Sequence, residues 1–513
     1  MKRILFAIAC ALVFTACGDE FFETAPKDKL SDLSFWKTEK DFTLAVNALY
    51  PYMEGAGNIG LEAMSDNAVR NQNWNADYEV SNGSGTDENS IFFNEWKNNY
   101  RGISRANTII ERIADAEIDE SAKTGLNAQA RFFRAYLHFR MAFLFGDAPL
   151  IQKPITIDEG RSLTKTSQAE LYSFVFSELD AAENNLPESY SDQDYGRITK
   201  GAVQAIKARF YLYVGNWEKA KTEAGKVMGN TMYSLDPDLS YSELFLYKGE
   251  NSKEHILQHQ YVRDAHECGT YGYAPIVAGG GSRISPLRSL YDSYLCTDGL
   301  PIADSPLYDP ANSAKNRDPR LTATLLTNGS MFGDKKFDSL DDPDSPDYRG
   351  KGFDATRTGL NVRKHINVED FSDNRKSHCD FAVIRFAEIL LTYAEAKVEL
   401  NQLDASVYQS INKLRKRVNM PEVTDGKTQD ELRKIVRLER RVELALEGHR
   451  FWDIRRWKAS EEVMNTDIFG MDVNGKPLFV ATRKFNPARD YLYPIPRKEL
   501  ELNKNLLPQN NLY

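Results

Sequence analysis

Apolar residues recur at the helical period along most of the chain. From Glu39 to Glu54, Phe42, Val46, Leu49 and Tyr50 fall on one face, which predicts a helix. The same spacing predicts helices over 94–114 and 123–145. In the latter, Leu126, Ala130, Phe133, Leu137, Met141 and Leu144 form a stripe that Gly146-Asp147 ends. Helices follow near 167–186 and 199–214. Gly215-Asn216-Trp217 then reads as a turn into a partner helix over 217–228.

Small alanines from Ala208 to Ala220 allow two helices to approach closely. With the turn Gly-Asn-Trp-Glu-Lys-Ala they resemble a tetratricopeptide (TPR) pair. Phe386–Leu400 and Asp404–Arg417 predict another such pair. Residues 229–380 differ: Gly, Pro, Asp, Asn and Tyr dominate, with short possible strands such as Ile256–Val262. This stretch reads as a loop-rich excursion packed on a helical scaffold, and 460–513 is also irregular. No low-complexity linker divides the chain, which predicts one compact unit.

The amino end has its own pattern. Met1-Lys2-Arg3 is a basic start, Ile4–Phe14 is apolar, and Thr15-Ala16-Cys17 follows. This is the layout of a secretory signal peptide, residues 1–16. A cysteine directly after small residues resembles a bacterial lipobox, which makes Cys17 the expected lipidation site. Each buried CH₂ contributes about 0.8 kcal/mol, so several acyl chains hold a protein at a bilayer. The acidic pair Asp19-Glu20 resembles the export tag of Bacteroidetes surface lipoproteins.

Charge narrows the function. The 513 residues carry 65 Lys+Arg against 74 Asp+Glu, a net charge of -9. An acidic balance argues against a nucleic-acid partner, because phosphate neutralisation needs a basic face. No apolar run reaches the roughly 18–20 residues of a spanning helix. Past Cys17 there remain Cys268, Cys296 and Cys379, which allow at most one disulfide and include no metal-binding spacing.

Several motifs suggest chemistry and then lose it. Gly55-Ala56-Gly57-Asn58-Ile59-Gly60 spells GxGxxG but follows a helix, not the strand of a dinucleotide site. His255 and His259 have helical metal spacing inside a predicted strand, where roughly 13 Å would separate them. The acidic run 341–347 lacks the EF-hand spacing and glycine. Glu439, Glu443 and Glu447 recur every four residues and offer a paired-carboxylate glycosidase reading. Arg440, Arg441 and Arg450 among them predict depressed pKa values, the opposite of what a general acid needs. No nucleophile elbow or Walker loop is present, and neither metal nor cofactor is expected.

Family-level similarity gathers these segments. Asp19-Glu20-Phe21-Phe22-Glu23 and Pro26, Phe35-Trp36 with Ala45–Tyr50, Tyr100–Asn107, Arg131–Tyr136 and Gly146–Leu150 occur in the order seen in one family. The carboxyl third is closer still. It contains Arg385–Leu391, Tyr393–Ala396, Glu439-Arg440-Arg441, Glu447-Gly448, Arg450-Phe451-Trp452-Asp453, Arg456-Trp457 and Pro494-Ile495-Pro496. The sequence thus resembles the SusD/RagB outer-membrane nutrient-binding lipoproteins of Bacteroidetes, with departures in 51–95 and 229–380.

The resemblance implies a mainly α, SusD-like fold: four TPR-like helix pairs supporting a loop-rich region with short strands. It implies one domain over 17–513, with an amino-terminal part to about 228, the loop-rich part to about 380, and a carboxyl part beyond. It further implies a lipid-anchored, surface-exposed outer-membrane protein that binds an oligosaccharide without catalysis. Such proteins act as the lid of a SusC-like TonB-dependent transporter. A RagB-like peptide-binding lid and a TPR-type protein-docking scaffold are the alternatives.

Sugars present apolar C–H faces and hydroxyl edges, so their sites need flat rings beside amides, carboxylates and guanidinium groups. Segment 66–78 has that mix. Trp74 is the expected stacking platform, with Asp66, Arg70, Asn73 and Tyr78 beside it; the competing reading makes Trp74 a core plug. Tyr291 and Cys296 form a second candidate group, and Arg363 is a third. Two rings from distant segments converging on one surface would support the site; a shallow ring-lined patch would favour sugar, and a broad cleft with few exposed rings would favour peptide.

Overall fold

The computed structural model describes residues 35–513. Cys17 and the expected signal peptide lie outside the described residues.

Except for α7 and α10, the main helices start where a short polar side chain satisfies free N–H groups of the first turn. Thr38 and Asp41 form a capping box at the start of α1 (Glu39–Asn47). This helix stops short of the predicted Glu54. Pro51 has no N–H to continue it, and residues 50–52 tighten into a 3₁₀ turn. Helix α2 (Ser90–Ala114) begins four residues earlier than the apolar pattern predicts, because the Asn89 side chain accepts the Ile91 N–H at 2.9 Å. Asp119, Ser167, Thr199 and Asn216 cap α3 (Glu120–Phe145), α4 (Gln168–Asn185), α5 (Lys200–Tyr213) and α6 (Trp217–Met228). The carboxyl part adds α7 (Phe386–Glu399), α8 (Ala405–Arg417), α9 (Gln429–Glu443) and α10 (His449–Arg456).

From α2 to α8 each helix packs on the next in sequence, across the long excursion between α6 and α7 as well, and α9 packs on both α7 and α8. Both pairs read from the sequence, α5–α6 and α7–α8, are formed, and α2–α3 packs in the same antiparallel-neighbour manner. The α5–α6 turn is the one read from the sequence: Gly215 takes a left-handed φ of 75°, which an alanine would resist. One apolar core runs through this stack. It draws in Phe42 and Val46 of α1, the Phe132–Phe145 face of α3, Val203–Leu212 of α5, Ile389–Leu391 of α7, and Tyr493 and Ile495 near the end of the chain.

Between α6 and α7 the chain makes short 3₁₀ turns and paired strand fragments, as its composition predicts. Two antiparallel pairs connect this region to its neighbours: β1 (Ala68–Arg70) with β3 (Ile284–Pro286), and β2 (His255–His259) with β4 (Phe381–Arg385). A second core of Tyr291, Tyr294, Leu321, Leu326, Phe337 and Val362 lies here and reaches Val442 and Leu446.

The irregular reading of 460–513 is corrected in part. β5 (Asp467–Val473) and β6 (Lys476–Thr482) make a hairpin. Its turn is Asn474-Gly475, with φ of 53° and 75°. Such a turn needs positive φ at both central positions, and Asn-Gly supplies it at little cost.

Candidate functional site

Strand β1 leads directly into the candidate segment. It is held in register by Ala68 opposite Pro286, Val69 opposite Ser285 and Arg70 opposite Ile284. Val69 packs beneath it on Leu287, Ile468 and Val480, so the β5–β6 hairpin supports the site from below. Buried Asn71 joins three stretches of chain. Its N–H donates to the Arg283 carbonyl at 3.0 Å, and its Oδ1 accepts from Ser285 Oγ at 2.7 Å and from the Arg357 N–H at 3.4 Å. One residue on, Gln72 Nε2 donates to Asp354 Oδ1 at 2.5 Å, and Asn75 Nδ2 donates to Gln72 Oε1 at 2.9 Å.

This network presents two rings to solvent. Trp74 is 58% exposed and Phe353 is 73% exposed. Their centroids lie 4.9 Å apart and their planes cross at 83°. An edge-to-face pair of this kind is itself attractive, so the rings fix one another without being covered. Phe353 comes from a loop 279 positions downstream of Trp74 in the sequence. The convergence from distant segments therefore occurs, and the core-plug reading of Trp74 does not hold. Beside the rings opens a cavity of about 490 Å³, lined by Arg70, Gln72, Trp74, Asn75, Asp77 and Arg283 among others. That is the volume range of small-ligand sites. Arg70 Nε donates to Asp77 Oδ2 at 2.5 Å, which fixes the guanidinium at the wall. Asn73 is exposed on the turn just before Trp74.

Other predicted residues sit elsewhere. Asp66 is buried: Arg450 donates to it at 2.7 and 2.9 Å, and Arg441 lies 3.0 Å away. Burial pushes its carboxyl up, but the two guanidinium groups overcome that and hold it well below the usual range. It anchors the segment to these two arginines and does not line the cavity beside Trp74. Tyr78 is half-buried under the platform, with the Arg357 guanidinium 5.9 Å from its ring centroid. Tyr291 belongs to the second core, with Arg317 over its ring at 5.1 Å and its hydroxyl on Ser313 Oγ at 2.8 Å. Cys296 is fully buried and free. Arg363 is partly buried over Phe332 at 5.7 Å, and its N–H donates to Thr324 O at 3.0 Å. None of these three lines the cavity beside Trp74. Cys268 and Cys379 are likewise free thiols.

The sequence reading missed Phe353, Asp354 and Arg283. A signal for the first existed: an aromatic in the glycine-flanked Gly350-Lys351-Gly352-Phe353 stretch has little local reason to be buried.

The glutamates of α9 form the expected ion lattice. Glu443, with no exposed surface, accepts from Arg320 Nη1 at 2.9 Å and Arg385 Nη1 at 2.7 Å, and pairs with Arg417. Burial raises its pKa, and the three guanidinium groups outweigh this and hold it well below the usual carboxylate range. A carboxyl held ionised this way cannot donate a proton to a glycosidic oxygen. In the acidic run 341–347, buried Asp347 accepts the Ile276 and Val277 N–H groups at 2.7 and 3.1 Å. Among the described residues no group of three or more His, Cys, Asp or Glu is placed to hold a metal. No described helix is long and apolar enough to cross a membrane.

Comparisons with known proteins agree with this geometry. Residues 244–513 match the SusD family, and 20–212 match the family described as "Starch-binding associating with outer membrane". SusD-like protein P25 of Formosa agariphila is 26% identical over 97% of this chain and 96% of its own. A solved SusD-like carbohydrate-binding protein from Bacteroides fragilis is 32% identical. It covers 92% of this chain and 100% of that one, with a TM-score of 0.87. A laminarin-binding SusD-like protein shares the fold at 23% identity and a TM-score of 0.72, over 93% of this chain and 100% of that one. The matched sequence and the stacked helix pairs agree: the chain belongs to the SusD family of outer-membrane-associated proteins.

Proposed function

We propose that this protein captures an oligosaccharide at the cell surface and acts as the non-catalytic lid of a SusC-like TonB-dependent transporter. In this reading it is anchored to the outer membrane through acylated Cys17, and residues 17–513 work as one unit. The observation that carries the glycan assignment is the Trp74–Phe353 pair, two exposed rings beside a polar cavity with amide, carboxylate and guanidinium groups. A pyranose has an apolar face to set on such a ring and hydroxyls for the surrounding groups. Exposed paired rings favour sugar over peptide. The names of relatives that bind carbohydrate support the same reading.

The magnitude follows from exposed area. A tryptophan side chain offers up to about 250 Å², and a sugar covering half of the exposed part removes roughly 70 Å² from water. At about 25 cal/mol/Å² this contributes about 1.8 kcal/mol, or about twentyfold in Kd. The test is a calorimetric screen of the soluble mature domain against a polysaccharide panel, repeated with Trp74→Ala and Phe353→Ala. Weakening of roughly that size with an unchanged melting temperature is expected. Binding that neither variant alters would remove the site assignment.

A further inference from the structure

The electrostatics of this site narrow the ligand class, and the inference rests on the glycan reading above. Arg283 is exposed at the cavity wall. Its guanidinium lies 5.5 Å from the Tyr271 ring centroid. Arg375, also exposed, lies 3.9 Å from the same ring. Ring and arginines are held together by the backbone. The Gly281 N–H donates to the Tyr271 carbonyl at 2.6 Å, and a Cβ on Gly281 would come within 2.9 Å of the ring. Neither arginine has a carboxylate partner among the described residues.

Of the nearby carboxylates only Asp77 is in an ion pair; Asp354 and Asp373 are held by neutral donors and form no ion pair with either arginine. Asp77 pairs with Arg70, Asp354 accepts from Gln72, and Asp373 accepts the Arg375 N–H at 3.2 Å. A third guanidinium, that of Arg357, shares the pattern. Its backbone is tied to Asn71, its Nη2 donates only to the Val480 carbonyl at 2.9 Å, and its buried Nη1 has no partner. The chain as a whole is acidic, with a net charge of -9. Uncompensated cations beside the ring platform therefore run against the general charge of the molecule. A guanidinium fork matches a planar carboxylate or a sulfate oxygen pair, and a charge-assisted contact there is stronger than one to a neutral hydroxyl.

We propose that the ligand is an anionic oligosaccharide, with one sugar stacked on Trp74 and Phe353 and an acidic substituent bound by Arg283, with Arg375 adding to the local positive field. A uronate carboxylate and a sulfate ester share the required chemistry.

The experiment is calorimetry on the full soluble domain with four probes: trigalacturonate, its carboxyl-reduced neutral form, a sulfated galactan trisaccharide and laminaritriose. Each is titrated at about 50 mM and about 500 mM salt, since screening separates charge contacts from stacking. An anionic probe is expected to bind about tenfold tighter than its neutral counterpart at low salt, as one charge-assisted contact supplies. Most of that preference should vanish at high salt and in Arg283→Gln, and part of it in Arg375→Gln. The uronate and sulfate arms show which anion is preferred. Equal affinity for charged and neutral probes, or a preference untouched by both arginine variants, overturns the inference. If a neutral probe then still loses binding in Trp74→Ala, the glycan-capture reading stands without it. If no glycan responds to Trp74→Ala, both fall.

Discussion

Replacing Glu443 by Gln separates structure from catalysis more sharply than any other single change. The side chain keeps its shape and loses its charge inside a fully buried cluster of Arg320, Arg385 and Arg417. Removing one partner from a buried ion pair leaves an uncompensated charge and costs about 3–5 kcal/mol. Unfolding entropy is about 2.1 cal/mol/K per residue, so 513 residues give about 1 kcal/mol per kelvin. The melting temperature at pH 7 should therefore fall by about 3–5 °C in scanning calorimetry, with glycan affinity unchanged at temperatures where the variant is folded. The pH dependence has a definite sign. Burial pushes the Glu443 carboxyl up, but Arg417, Arg385 and Arg320 hold it well below an ordinary 4.5. A depressed carboxylate contributes stability above its unfolded pKa and loses it as pH falls through the folded one. The wild type should lose stability as pH falls below about 4.5, and Glu443→Gln should lose less of it. An unchanged melting temperature, or hydrolysis of any oligosaccharide by the wild type that this variant abolishes, would refute the structural role.

Glu62 predicts the opposite slope. Burial raises its carboxyl to about 7 despite hydrogen bonds from Asn67 and Gly448. Its contribution is therefore full below about pH 4.5 and is lost as pH rises through 7. Calorimetry at pH 5 and 8 should show Glu62→Gln gaining stability relative to the wild type at the higher pH. Two glycines separate conformation from space. Gly475 and Gly448 both have positive φ, but a Cβ on Gly475 meets nothing within 4 Å, whereas one on Gly448 would sit 2.8 Å from the Asn58 carbonyl. Gly475→Ala should cost about 1 kcal/mol and Gly448→Ala clearly more; equal melting shifts would contradict this.

The helices were legible because their signals are local. A stripe such as Leu126 to Leu144 and a cap such as Asp119 both lie within a few turns of one another. The helix pairing at Gly215 was legible for the same reason. Half of the platform was not. Trp74 announces itself by its polar neighbours, but its partner Phe353 is fixed by Gln72–Asp354 and Asn71–Arg357 contacts across some 280 residues, and no periodicity carries that. Tyr291 and Cys296 went astray for a related reason. Tyrosine and cysteine suit a buried cluster as well as a binding wall, and the second core that claims Tyr291 is assembled from four separate stretches of chain. The Asn474-Gly475 hairpin, by contrast, carried a strong local signal in a region read only by its composition.

Asp66 shows how one residue of the segment singled out by its mix of ring, amide, carboxylate and guanidinium groups serves the architecture instead of lining the cavity. The carboxylate bonds to Arg450 of α10 and pairs with Arg441 on α9, while Arg441 also donates to the Asn67 side chain at 2.8 Å. The buried Arg483 guanidinium binds the Ala63 and Ala68 carbonyls on either side of Asp66 at 3.1 and 2.7 Å. The stretch entering β1 is thus clamped by charges on the carboxyl-terminal helices before the chain emerges at Trp74. A ring that must meet a sugar face gains affinity when its backbone is already fixed, because less entropy is lost on binding. The Arg441–Arg450 signature, which looks like a property of the carboxyl third alone, acts through Asp66 on the position of a platform nearly 370 residues earlier in the sequence. Under the proposed glycan-capture role, that carboxylate is where binding and architecture meet.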